Sequence, residues 1–114
     1  MRLAELESKL REMFPDHEIV IGIKTPEQLR ADARKIVSVW IERETVDRTN
    51  TRTEYIIVVA HKRKLNEFDS FQTEVDQMLI KLYSLPLTNF AIEYANNDVY
   101  LFAIIRAEGR RRIL

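Results

Sequence analysis

Two apolar runs separated by a polar stretch constrain this chain more than any other feature. Residues 36–41 (IVSVWI) and 55–60 (YIIVVA) are rich in β-branched and aromatic side chains, which suit a pleated, half-buried surface. Residues 42–54 (ERETVDRTNTRTE) between them are charged, threonine-rich and free of glycine. The pattern predicts a β-hairpin over residues 35–64 with a long polar loop at its tip. The rest of the chain is expected to cover or extend that hairpin.

Upstream, Leu3, Leu6, Leu10 and Met13 recur at helical spacing, with charged residues filling the other face. That is an amphipathic helix with one buried stripe, stopped by Pro15 and followed by a turn at Asp16 and His17. Residues 18–24 (EIVIGIK) read as a strand in which Gly22 marks a bulge or a close contact. Thr25 and Pro26 form a good helix start, predicting a short connector helix over residues 26–34. Downstream of the hairpin, Phe68, Phe71, Val75, Met78, Leu79 and Leu82 make the strongest helical stripe in the sequence, with Asn66 or Asp69 as its expected cap. Residues 90–95 (FAIEYA) and 99–106 (VYLFAIIR) are two further strands around an Asn96-Asn97-Asp98 turn. Residues 107–114 (AEGRRRIL) read as a mobile or partner-ordered basic tail. The order α-β-(α)-β-β-α-β-β defines a single α+β domain: one mostly antiparallel sheet of about five strands with two main helices on one face.

Side chains alternate across a strand, so each strand can be sorted into two faces. Val37, Val39 and Ile41 form one apolar set, and Val99, Leu101, Ala103 and Ile105 another; both are expected to meet the helices. A sheet covered on one side only would be polar on the other. Here the opposite positions are Ile36 and Trp40 in one strand and Tyr100, Phe102 and Ile104 in the last, with Tyr55, Ile57 and Val59 assigned to the same surface. The connector helix has few apolar residues to offer, so Ile36, Trp40, Tyr55, Ile57, Tyr100, Phe102 and Ile104 are expected to form a subunit–subunit interface.

Few residues lend themselves to chemistry. His17 and His61 have no second histidine at ligand spacing, and Ser8, Ser38, Ser70 and Ser84 lie in no nucleophile-elbow pattern. Only Gly22 and Gly109 are glycines, which rules out phosphate-cradling loops of the P-loop or dinucleotide type. No catalytic residue, cofactor or metal is expected. Basic residues cluster at His61, Lys62, Arg63 and Lys64 and at Arg110, Arg111 and Arg112, with Arg48 and Arg52 in the hairpin loop; each could contact phosphates or simply stay solvated. The 18 basic and 18 acidic residues give a formal net charge of zero, which argues against a general nucleic-acid or membrane binder. Absence of cysteine excludes disulfides and thiolate metal sites, and no apolar run approaches the ~20 residues that span a bilayer. A soluble cytoplasmic protein is the default expectation.

The layout resembles the tail-terminator, or tail-completion, proteins of long-tailed bacteriophages. Four parts carry the likeness: a first helix leading to IGIKTPEQL, the hairpin KIVSVWIERE…RTEYIIVVAHKRK, the helix NEFDSFQTEVDQMLIKLYSL, and the closing pair NFAIEYANNDVYLFAIIRAEGR. The resemblance implies a virion structural protein, assembled in the host cytoplasm, that forms a homo-oligomeric, hexameric ring in the tail or neck. Such a ring ends tail-tube growth and joins the tube to the head-connector proteins. The resemblance also implies that the loop over residues 45–53 projects towards the lumen or a neighbour, with Arg48 and Arg52 available to a partner or to passing DNA. Related neck and head–tail joining proteins fit the same layout. A small nucleic-acid-binding module using the basic clusters is the reading from a different class.

Overall fold

In the computed structural model, which describes residues 1–22, 34–63 and 67–113, the α+β expectation holds. Helix α1 (Leu3–Met13) is followed by strands β1 (Glu18–Ile21), β2 (Lys35–Val46) and β3 (Asn50–Lys62), helix α2 (Phe68–Leu82), and strands β4 (Thr88–Asn96) and β5 (Tyr100–Arg112). The strands form one sheet in the order β1-β2-β3-β5-β4. Only β1 runs parallel to its neighbour; the other pairings are antiparallel. The expected helix over residues 26–34 falls, apart from Arg34, outside the described residues, as do Ile23, Lys24, Lys64 and Asn66.

Both helices lay their apolar stripes on one face of the sheet. Leu6 and Leu10 of α1 and Phe71, Val75, Met78 and Leu82 of α2 pack on Val37, Val39, Tyr55, Ile57, Val59, Leu101, Ala103 and Ile105. Burying this much apolar surface is the dominant stabilising term of such a domain. Tyr55, Ile57 and Val59 therefore belong to the core rather than to the second face. Register decides this: Ile57 lies opposite Val39 and Tyr55 opposite Ile41, and directly opposed residues share a face. Two core expectations also shift. Ile41 has the right orientation but lies at the rim of the core, in a cleft beside the start of α1, and is 38% exposed, while Val99 falls in the β4–β5 turn and is 52% exposed.

The strands are longer than their apolar runs. Instead of a thirteen-residue loop, β2 and β3 continue to a tight turn at residues 47–49. Asp47 Oδ1 accepts the backbone N–H of Thr49 at 2.8 Å and of Asn50 at 2.7 Å, an Asx turn that closes the hairpin. The flanking polar residues pair across the strands, Arg43 with Glu54 and Thr45 with Arg52, and a bulge between Ile41 and Arg43 absorbs one extra residue. The same turn chemistry recurs at Asn97, whose Oδ1 accepts from Val99 and Tyr100.

The expected C-terminal tail is also strand. Residues 107–112 continue β5 against β3, with Arg112 opposite Asn50. Thr51 and Thr53 are buried, and Gly109 lets the Tyr55 ring and Leu87 approach closely: a Cβ at Gly109 would stand 3.1 Å from the ring and 3.3 Å from Leu87. This three-stranded extension past the helices gives the molecule its elongated 49 × 28 × 24 Å outline. At the start of α2 the N-cap position is Glu67, with no side-chain cap bond, and Asp69 lies in the first turn, where its charge suits the helix dipole.

Candidate functional sites

The second sheet face carries a cluster of its own. Ile36, Ala60 and Tyr100 are buried together with Val20 and Phe102 packed against them, and among the described residues no helix residue belongs to this cluster. Trp40, Val58 and Ile104 continue the apolar strip and are half-buried. Register places Trp40 opposite Ile56 and Val58 opposite Ile104, so the strip is continuous across β2, β3 and β5. Of the residues expected on this face, Ile36, Trp40, Tyr100, Phe102 and Ile104 are there; Ile36 and Tyr100 are already buried within the chain.

Beyond Ile56 the same face turns charged. Arg106 bridges Glu42 at 3.6 Å and Glu93 at 3.2 Å, and Arg43 and Arg52 both approach Glu54 at 3.9 Å. Two basic groups far apart in the sequence meet here, because β3 pairs with β5: Arg52 lies opposite Arg110 and Thr51 opposite Arg111, next to the Arg48 turn. Arg111 reaches Glu44 at 3.9 Å. Lys62 and Arg63 are at the other end of β3, about 30 Å away for ten residues of strand. The basic residues thus form no single surface. The hairpin tip gathers Arg48, Arg52, Arg110, Arg111 and Arg112, whereas Arg63 is tied to the β4–β5 turn by a bond to the Asn97 carbonyl.

A third feature overturns the expectation of isolated histidines. His17, in the turn after α1, and His61, near the end of β3, face each other with Nε2 atoms 2.8 Å apart and ring centroids 5.0 Å apart. His61 Nδ1 lies 3.5 Å from Glu74 Oε2 of α2, and Glu74 Oε1 accepts a bond from Lys35 Nζ at 2.9 Å. The His61 side chain is fully buried and edge-on to Phe71. The two Nε2 atoms share one hydrogen bond, whereas His61 Nδ1, although it faces Glu74 Oε2, makes none.

Burial disfavours the charged form of both rings. It pulls His61 down to about 4, aided by His17 and Lys35 and opposed by the Glu74 carboxylate. It also lowers His17, again against the pull of Glu74. Glu74 moves the other way from what burial alone would do: desolvation works upward, but the bond from Lys35 and the nearby His61 hold it below its ordinary value.

A parity argument could have found this cluster. Position 61 shares a face with Ile57 and Val59, so it points under the helices, and position 74 falls between Phe71 and Met78 on the buried side of α2. Comparison with protein-family models and with curated proteins gave no match for the chain.

Proposed function

We propose that this protein is a non-enzymatic, ring-forming subunit of a viral tail or neck, of the tail-terminator kind. The observation that carries the reading is the second sheet face: an apolar strip of Trp40, Val58, Phe102 and Ile104 that continues a small buried cluster in which, among the described residues, there is no helix residue. Half-exposed tryptophan and phenylalanine on a flat strip are the anchors that subunit interfaces use. A second copy of the chain is the proposed occupant. The arginine-rich hairpin tip, held beyond the helices by three strands, is the part that extends from such a ring to a tail-tube or head-connector protein, or to DNA in the lumen.

Size-exclusion chromatography with light scattering tests the assembly. A closed oligomer of fixed stoichiometry, hexameric in this reading, is expected for the wild type, and Trp40→Glu and Phe102→Glu should each shift it to monomer while the fold is retained. A strictly monomeric wild type at high concentration, both alone and with a tail-tube protein, overturns the proposal. The basic tip also favours a second reading, a nucleic-acid-binding module. That reading predicts salt-dependent binding to short duplexes, weakened by neutralising Arg110, Arg111 and Arg112 together.

A further inference from the structure

We infer that His17, His61 and Glu74 form a binding site for a divalent transition metal of the zinc type. One nitrogen from each imidazole and one carboxylate oxygen lie within 4.8 Å of one another. Two imidazoles and one carboxylate form a donor set that zinc takes readily, whereas calcium and magnesium prefer oxygen alone.

One of the separations already suits such an ion. Around a tetrahedral centre with metal–nitrogen bonds of about 2.0–2.1 Å, neighbouring donor atoms stand about 3.3 Å apart. Glu74 Oε2 faces His61 Nδ1 at 3.5 Å, close to that spacing, whereas the 2.8 Å contact from His17 is made to the other nitrogen of His61, Nε2. Turning the His17 ring would bring one of its nitrogens round to the ion that His61 Nδ1 and Glu74 Oε2 face, within the 4.8 Å that spans the three donors.

Two independent features point the same way. Nδ1 of His17 and Nδ1 of His61 are both buried without a hydrogen-bond partner, among the very few such side-chain atoms in the described residues. Buried polar atoms are normally satisfied, and an exception calls for a ligand or another physical reason. There is also a way in. A surface cleft of about 200 Å³ is lined by Asp16, His17, Glu74, Gln77 and Lys81, so an ion can reach His17 and Glu74 from solvent. Asp16 adds negative charge at that entrance.

Glu74 is already arranged as a metal-bound carboxylate would be. Lys35 holds Oε1, leaving Oε2 turned towards His61. Hydrogen-bonded carboxylates of this kind are the usual support of a metal ligand, which makes Lys35 a positioning residue. The three ligands come from the α1–β1 turn, β3 and α2, so an ion would tie together the three elements that meet at this end of the core. Its consequence is stabilisation of the folded chain.

The test uses the full chain without a histidine tag, stripped with chelator and titrated with Co²⁺ as a spectroscopic probe, then with Zn²⁺ by calorimetry. One equivalent per chain should bind, with the visible absorption of low-coordinate Co²⁺, displacement by Zn²⁺ and a rise in Tm. His17→Gln and Glu74→Gln, both at half-exposed positions, should fold yet lose the absorption band and the Tm rise. Asp16→Asn, which alters the entrance but removes no ligand, should keep both. Absence of saturable binding, or binding that survives in His17→Gln and Glu74→Gln, would overturn the site.

Discussion

Acid should weaken this protein well above the pH at which ordinary carboxylates titrate, through buried His61 and its half-buried neighbour His17. His61 has no exposed surface and a pKa of about 4 in the folded chain, against an unperturbed value of about 6.5. A group whose folded pKa is depressed contributes stability in full above its unfolded pKa and loses it as pH falls through the folded one. The window here therefore runs from about pH 6.5 down to about pH 4. Between about pH 7.5 and pH 5 the unfolded chain takes up nearly one proton at this site while the folded chain takes up almost none. Linkage converts that difference into about 2 kcal/mol of lost stability, and the full span to acid into about 3 kcal/mol. His17, lowered by the same burial, acts in the same direction. The groups facing the pair are Glu74, Lys35 and Asp16; Glu74, itself held low, adds a further acid-side loss only once pH nears its own carboxylate range. In urea, with a slope of about 1–2 kcal/mol/M, the midpoint should fall by about 1–2 M between those two pH values. The assay is chemical denaturation followed by Trp40 fluorescence, in the presence of chelator so that protons alone act. A His17→Gln/His61→Leu double variant, which cannot titrate there, should show a much flatter dependence. Parallel pH profiles for wild type and double variant would refute the reasoning.

Other expected outcomes follow from particular contacts. Phe71→Ala empties a fully buried site between α2, His61 and Tyr94 and should cost about 3–5 kcal/mol, read as a large drop in Tm or as failure to fold. Gly109→Ala puts a methyl 3.1 Å from the Tyr55 ring and 3.3 Å from Leu87; overpacking of this kind costs about 1–3 kcal/mol, and thermal melts at several scan rates would measure it. By contrast, Arg48→Ser and Arg112→Ser change exposed positions at the hairpin tip and should leave stability within about 0.5 kcal/mol, while reducing any salt-sensitive binding to a partner or to DNA.

What the sequence made legible was whatever depends on local periodicity. The helical stripes, the alternation in β2 and β5 and the Asn97 turn all follow from spacing and turn chemistry, and they appear where that chemistry puts them. Strand length was not legible. Arg43, Thr45, Arg52 and Glu54 look like loop residues in isolation and become strand residues only when each finds a cross-strand partner. The same holds for residues 107–112, whose strand character depends on β3 alongside them. Tyr55 and Ile57 were misplaced because alternation fixes two faces without saying which one meets the helices; that choice is made by register across the sheet.

The histidine pair failed for a different reason, and the difference bears on what it does. His17 and His61 are 44 residues apart, and their contact requires β3, the α1–β1 turn and α2 to converge. A position-61 side chain under the helices should be apolar by every local rule, as Ile57 and Val59 are on the same face. A buried imidazole there lacks full hydrogen bonding and destabilises the fold below neutral pH, so packing alone gives no reason for it. Disagreement between local rules and the observed residue is concentrated at sites that serve something other than stability. An apolar residue at position 61 would make a simpler core; a histidine opposite a second histidine and a carboxylate makes one that can hold an ion. If the metal site is correct, the His61→Leu variant should be more acid-resistant than wild type yet gain no Tm from Zn²⁺, separating the cost of the imidazole from its use.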